Sequence, residues 1–399
     1  MRTCTVAATQ SPRTLWIQPA RCLSGLSASN TTDSGIGLHP TQRHRHRQLW
    51  KPGSTTVEPA SWSETQINFM SYARPIPLDS TDLVLSVNYH QVYDFGLKID
   101  YVFRGESHAE DPDDIVMVKN RSSGALSAYS LAGGISIPSL PELAIGASFN
   151  WYTQSLLSDD AWQVEQRLYS GANLALRGTQ TETFDDFQGY NFTLGLLWDA
   201  YKKAERMLTL GFVLHTPFTA KLNHHVTWPK PSSTLGLDRW RMDFPLALGA
   251  GANYRLSDSF SVAFDADWKQ WSEFKQIDLD TGKESVPIGN GQGAIADTLA
   301  ARLGFERLLF SEPFEQSVYA LRGGVFYEPR PALDEVMPVY GFSLGLGCTV
   351  KEKFSLDFAY QYRWGDEIEG RNLGGGSYVE VIDYRIQEQL FIGSVIVYF

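Results

Sequence analysis

The chain lacks any run of about eighteen consecutive apolar residues. That excludes a membrane-spanning helix, which needs roughly 20 of them. It leaves open a transmembrane β-barrel, whose strands alternate apolar and polar residues and so never build a long run. Cysteine is scarce, three in 399 residues, with no CxxC pair. Cys4 and Cys22 stand near the N-terminus, and Cys348 falls in a strand-like segment, where it is expected to pack as a small apolar residue. No Gly-x-Ser-x-Gly elbow occurs, so the seat of a hydrolase nucleophile is missing and no enzyme is expected. His215, His224 and His225 lack a Cys or acidic partner at ligand spacing, so neither a metal nor another cofactor is expected. A secretory signal is also missing: residues 1–60 show no apolar stretch followed by a small-residue cleavage site.

Excess positive charge is absent as well. The formal net charge is −11; residues 1–60 hold seven Lys/Arg against two Asp/Glu, so the remainder carries −16. That balance excludes nucleic acid as the partner of the main domain. The basic tract Arg43-His44-Arg45-His46-Arg47 belongs to the N-terminal segment. Residues 1–64 read as irregular: a disordered leader, or residues foreign to the native protein. Residues 65–399 read as one domain.

What is present is period two. In 354–364, Phe354, Leu356, Phe358, Tyr360, Tyr362 and Trp364 share one face, and Ser355, Asp357, Ala359, Gln361 and Arg363 share the other. Such alternation is the strand signal. It recurs at 143–151, 192–199, 260–268, 299–306 and 342–350. The apolar face carries large residues without charge, which suits lipid. The other face is mostly Gly, Ser, Ala, Thr and Asn with scattered Asp and Arg, which suits a lumen with limited room. A soluble sandwich would instead place Lys and Glu on its polar face. Aromatics are 13% of the chain. Tyr360, Tyr362 and Trp364 cluster at one strand end like an interfacial girdle, and Trp268 and Trp271 read as girdle anchors too.

Short turns at 200–204, 256–258 and 351–353 alternate with polar segments at 105–123, 281–294, 328–338 and 365–380, the rhythm of an outer-membrane barrel with its short turns periplasmic. The expected strands are 65–74, 82–95, 124–137, 142–155, 160–176, 184–199, 205–227, 240–254, 258–279, 295–308, 317–328, 339–350, 353–364 and 384–399. The fold class is thus all-β: a transmembrane antiparallel β-barrel of about fourteen strands. The last segment, Leu390 to Phe399, is apolar and ends on an aromatic. As a free edge it would invite aggregation. It is expected to close the barrel on a first strand near residue 65, and to be what a barrel-assembly machine reads.

Three stretches resemble the FadL/TodX-type outer-membrane transporters of long-chain fatty acids and other hydrophobic compounds. They are Asp243-Phe-Pro-Leu-Ala-Leu-Gly-Ala-Gly-Ala-Asn-Tyr-Arg-Leu256 through Phe264-Asp-Ala-Asp-Trp-Lys-Gln-Trp-Ser-Glu-Phe274; Leu321-Arg-Gly-Gly-Val-Phe-Tyr-Glu-Pro-Arg-Pro331 with the hairpin 340–364; and Gly211-Phe-Val-Leu-His-Thr-Pro-Phe-Thr-Ala-Lys-Leu222. The resemblance spans roughly 65–399. It implies a fourteen-stranded barrel with a ligand-binding lumen, an N-terminal hatch and lateral release of ligand into the membrane. The hatch's Gly/Ala-rich stretch ending near Asn-Pro-Ala is not visible in residues 1–64, so the hatch is expected to be missing or degenerate.

By the alternation, Asp265, Asp267, Arg302, Glu306, Arg322, Asp357 and Arg363 point into the lumen. They read either as braces between strands or as ligand contacts, since arginine matches a carboxylate bidentately. The expected function is passive outer-membrane transport of fatty acids or other hydrophobic small molecules by a monomer surrounded by outer-membrane lipid. A structural or adhesive barrel and a general diffusion porin are the alternatives.

Overall fold

The computed structural model describes residues 36–39, 55–58, 64–79, 81–94, 97–104, 115–154, 162–170, 174–227, 234–285, 295–311, 317–331, 336–350, 353–372 and 380–398. Apart from one 3-10 turn at Trp271–Glu273, the regular structure of the described residues is strand. In chain order the strands are β1 (Ile36–His39), β2 (Thr55–Glu58), β3 (Glu64–Ile67), β4 (Phe69–Pro77), β5 (Asp82–Asp94), β6 (Leu97–Arg104), β7 (Ile115–Ser123), β8 (Ala125–Ile137), β9 (Leu140–Gln154), β10 (Trp162–Ser170), β11 (Ala175–Lys203), β12 (Arg206–His215), β13 (Phe218–Thr227), β14 (Thr234–Phe244), β15 (Ala247–Ser257), β16 (Phe260–Lys269), β17 (Lys275–Asp278), β18 (Glu284–Ser285), β19 (Thr298–Ser311), β20 (Ser317–Tyr327), β21 (Tyr340–Val350), β22 (Phe354–Asn372) and β23 (Glu380–Val397).

All of them belong to one sheet that closes on itself. Antiparallel pairing runs from β4 through β5, β8, β9, β11, β12, β15, β16, β19, β20, β21 and β22 to β23. β23 then pairs with β1, and β1 with β3, which only Asn68 separates from β4. Closure removes the unpaired edge that an apolar last strand would otherwise present. The closing partner corrects the expectation: Ile36–His39 stands between the last strand and the strand near residue 65, with Leu38 opposite Phe391 and Thr65.

Where about fourteen strands were expected, the described residues form twenty-three strand segments; the ring just traced has fourteen positions, with β3 and β4 counted as one, and the other segments lie beyond it. Long strands are cut where the backbone cannot continue the ladder. Pro217 and Pro245 have no N–H to give, and β12 ends before the first as β14 ends before the second. Gly124 and Asp186 take positive φ, and β11 carries a bulge between Asp185 and Gln188. The cuts fall side by side in the register: Asp94 faces Ala125, Leu126 faces Gln154, His215 faces Ala247, and Ala247 faces Lys269.

Beyond this belt a second tier of pairing continues the wall through β2, β6, β7, β10, the first half of β11, β13, β14, β17 and β18. The segments 142–155 and 160–176, successive in the expected strands, are therefore one above the other. β9 pairs with β8 while β10 pairs with β7, and β11 borders both. Residues 115–123 and 365–372, expected in loops, are strand. The hatch expectation rests on N-terminal residues that lie largely outside the described ones.

The faces sort as the alternation demands. Along β11, Tyr190, Phe192, Leu194 and Trp198 are exposed while Asn191 and Thr193 are buried. Phe264, Leu303, Val325, Leu344, Phe358 and Val395 continue the exposed apolar band round the wall. Water would penalise such a surface, whereas lipid matches it.

One close approach inside the wall requires glycine. A Cβ on Gly341 would land in the Phe326 ring and 2.6 Å from the Tyr362 carbonyl oxygen. Gly341→Val is expected to cost about 1–3 kcal/mol by overpacking. Gly304→Ala is expected to be nearly neutral, because the nearest atom to its new methyl is the Gly323 carbonyl oxygen at 3.6 Å. Urea titration of the refolded barrel, read by its heat-modifiable gel mobility, separates the two variants.

Candidate functional site

The inner wall is layered. Nearest the long loops, Trp162 stacks on Phe184 at 4.1 Å, Phe184 on His224 at 4.6 Å, and Trp240 meets His224 edge-on at 4.9 Å. His224 is buried between two carboxylates, with Glu182 3.5 Å from its Nε2 and Asp238 3.9 Å from its Nδ1.

At the belt of strand breaks a second aromatic group follows. Tyr152 stacks on Phe218 at 4.4 Å, Phe218 on Phe244 at 4.6 Å, and Phe244 meets Phe274 at 5.3 Å. Trp271 packs on Phe274 at 5.8 Å. Phe218 and Phe244 are register partners immediately after Pro217 and before Pro245. Leu126, Ala128 and Tyr152 form a buried cluster beside them, with Val92 and Phe187 against it. Trp271, expected as a girdle anchor, is buried in this box, because the 3-10 turn carries it off the strand's outer face.

Trp268 stays on the outer side, in a register row with Leu248 and Leu299. Below that row the alanines Ala250 and Ala266 leave an open groove of about 570 Å³ that is lined by Phe212 as well. It faces the apolar band, so it belongs to the membrane side rather than to the lumen.

Under the aromatic box the lumen turns polar. Asn150 donates to Asn191 Oδ1 at 2.7 Å and to Thr193 Oγ1 at 2.9 Å, and Tyr152 donates to the same Asn191 oxygen at 3.2 Å. Thr193 Oγ1 lies 3.0 Å from His215 Nδ1.

Next come the charges, where the seven residues singled out by the alternation fall into two groups. Arg302 binds Asp265 at 2.7 Å through Nη1, Asp267 through the same nitrogen, and Glu328 at 2.7 Å through Nε. Arg322 binds Glu306 at 2.7 Å and also Asp357. Arg363 donates to Gln361, lies 3.5 Å from Glu328, and covers the Phe326 ring with its carbon 5.6 Å from the centroid. Arg330 pairs with Glu388. Fork-shaped guanidinium contacts of this kind fix strands relative to one another.

Sequence reasoning missed Glu328, Arg330, Glu388 and the aromatic box. Glu328 and Arg330 follow the end of β20, in a stretch that reads as loop. The box residues do not share one period-two register, because each sits beside a strand break.

A closed antiparallel barrel with an apolar outer band and a layered polar lumen is the architecture of a transmembrane β-barrel. No protein-family profile matches the chain, and no curated protein does. Solved structures do. A Pseudomonas aeruginosa FadL homologue matches over 100% of both chains at 15% identity with a TM-score of 0.62. The Pseudomonas putida toluene transporter TodX matches over 100% of this chain and 96% of its own at 12% identity, with a TM-score of 0.52. The chain therefore has the fold of the FadL/TodX-type barrels.

Proposed function

We propose that the protein is a passive outer-membrane channel for hydrophobic small molecules. One observation carries this reading: two aromatic groups step down the inner wall, Trp162 to Trp240 near the long loops and Tyr152 to Phe274 at the belt. Aromatic faces hold apolar ligands without fixing one orientation, which suits capture and stepwise descent. A protein sharing the fold supports the same reading, since TodX is a toluene transporter. In this reading residues 65–399 form the transmembrane unit, with β1 added to its wall. The protein acts as a monomer, and its last strand is what the assembly machinery reads. In this reading the protein is a channel and not an enzyme. The arginines act as braces, because Arg302 and Arg322 already engage three and two carboxylates.

Uptake tests this. Cells carrying the protein are expected to take up labelled toluene or oleate faster than cells without it. The pair Phe218→Ala and Phe244→Ala is expected to slow uptake about tenfold at limiting substrate, since an aromatic stack is worth about 1 kcal/mol beyond its buried area. Equal uptake with and without the protein overturns the reading, and a steady large conductance in planar bilayers replaces it with the porin.

A further inference from the structure

Two cations stand opposite each other on the outer wall. Gln188 of β11 faces Lys221 of β13, and Lys221 faces Arg241 of β14. Gln188 is exposed, and so is Tyr190 two residues further along the same outer face. The cations therefore sit about 7 Å above the level of Tyr190, the span of two strand residues. Exposed tyrosines of that kind mark the headgroup level of a membrane. Like charges directly across a ladder repel. Among the described residues Lys221 makes no hydrogen bond or ion pair. Arg241 gives Nη2 to Asp243 at 2.7 Å, and Asp243 is shared with the Thr219 hydroxyl at 2.7 Å and faces Lys275. The row thus lacks an anion of its own.

The open groove of about 570 Å³ lies lower on the same pair of long strands. Leu214 precedes Lys221 by seven residues, and Leu248 follows Arg241 by seven. Roughly 20 Å of strand separates the cations from the groove. On strands tilted by about 40° that reaches the middle of a hydrocarbon core roughly 30 Å thick. Acyl chains hanging from headgroup level end at that depth. The groove's lining carries no charge: Leu196, Phe212, Leu214, Leu248, Ala250 and Ala266 are among its walls.

We propose that Lys221 and Arg241 seat the phosphate of a membrane lipid whose acyl chain lies in the groove below them. The cations supply the charge complement. The groove is continuous with the exposed apolar band, so its occupant comes from the membrane and not from the lumen. The other cations of this face are engaged already: Arg239 with Asp280 at 3.0 Å, and Lys275 with Glu284 at 3.5 Å. The inference is independent of what the lumen carries.

The test is lipid retention by the purified barrel in mixed micelles, read by native mass spectrometry. The probes are dimyristoyl phosphatidic acid, dimyristoyl phosphatidylcholine and inorganic phosphate. The unmodified protein is expected to retain phosphatidic acid about tenfold better than phosphatidylcholine, because each basic residue near a membrane surface attracts anionic lipid. Lys221→Gln together with Arg241→Gln should bring the two lipids level. Lys221→Gln alone, on an exposed residue without a partner, should lose part of the preference. Ala250→Phe together with Ala266→Phe, which fills the groove, should weaken both lipids alike. Gel mobility establishes that each variant is folded. Equal retention of both lipids by the unmodified protein overturns the inference, as does a folded Lys221→Gln that keeps the full preference. A folded groove-filled variant with unchanged retention overturns it too. Displacement of phosphatidic acid by an equal concentration of inorganic phosphate would make this a site for the free ion and overturn the lipid.

Discussion

Arg302→Met is expected to cost the barrel about 3–5 kcal/mol, enough to keep much of it from reaching the folded form. The guanidinium is four-fifths buried and answers Asp265, Asp267 and Glu328, of which Asp267 and Glu328 are nearly inaccessible to water. Removing the cation leaves buried carboxylates facing one another, and breaking a buried pair from one side costs more than the pair contributes. Relief should therefore come from the other side: Arg302→Met combined with Asp267→Asn and Asp265→Asn is expected to recover a large part of the loss. Arg239→Met is the contrast. Arg239 pairs with Asp280 at 3.0 Å, but its side chain is 64% exposed, and such a pair is worth at most about 1 kcal/mol. Urea titration in lipid vesicles, followed by tryptophan fluorescence, measures all of them. A loss below about 1 kcal/mol for Arg302→Met would show that the hub does not brace the wall.

Phe358→Arg is the second large effect, and it falls on a residue that packs little against the protein. Phe358 is 65% exposed, and its register partner Leu346 is 60% exposed. On a water-facing surface such a change would be nearly neutral. On a lipid-facing strand an arginine near the midplane costs about 2–4 kcal/mol, falling to roughly 0–1 near the interface. Phe354, on the same outer face at the short-turn end of β22, supplies the depth control. Phe354→Arg is expected to cost clearly less than Phe358→Arg in the same vesicles. Equal and small costs for both would mean that this face meets water.

These two variants also separate what was legible in the chain from what was not. Phe358 was assigned to the outer face from alternation alone, because side-chain direction in a strand reverses at every residue and needs no knowledge of neighbours. The same rule put Asp265, Asp267, Arg302, Glu306, Arg322, Asp357 and Arg363 on one side of the wall. It could not pair them. Arg302 reaches Asp265 37 residues back and Glu328 26 residues ahead, and Arg322 reaches Asp357 35 residues ahead. Those contacts depend on which strands neighbour each other and in what register. Glu328 has the parity of Arg322 and closes the expected strand 317–328, but it also opens the polar segment 328–338, and it was not counted among the inward charges.

The same limit explains the strand list. Pro217 and Pro245 are visible as ladder breakers, but that their breaks line up with those at Asp186 and Gln270 into a belt, with a second tier of pairing above, is a property of the assembled register. Ile36–His39 carries too short a pattern to announce a strand; its place is set by the gap left between β23 and β3.

By itself the sequence determined the all-β class, the apolar outer band and the inward set of charges, since each follows from local alternation. The tertiary structure alone decided which strand closes the ring, which carboxylates each arginine answers, and how the aromatic box forms at the belt. Pairing between residues far apart in the chain is fixed only when the sheet closes and its register is set.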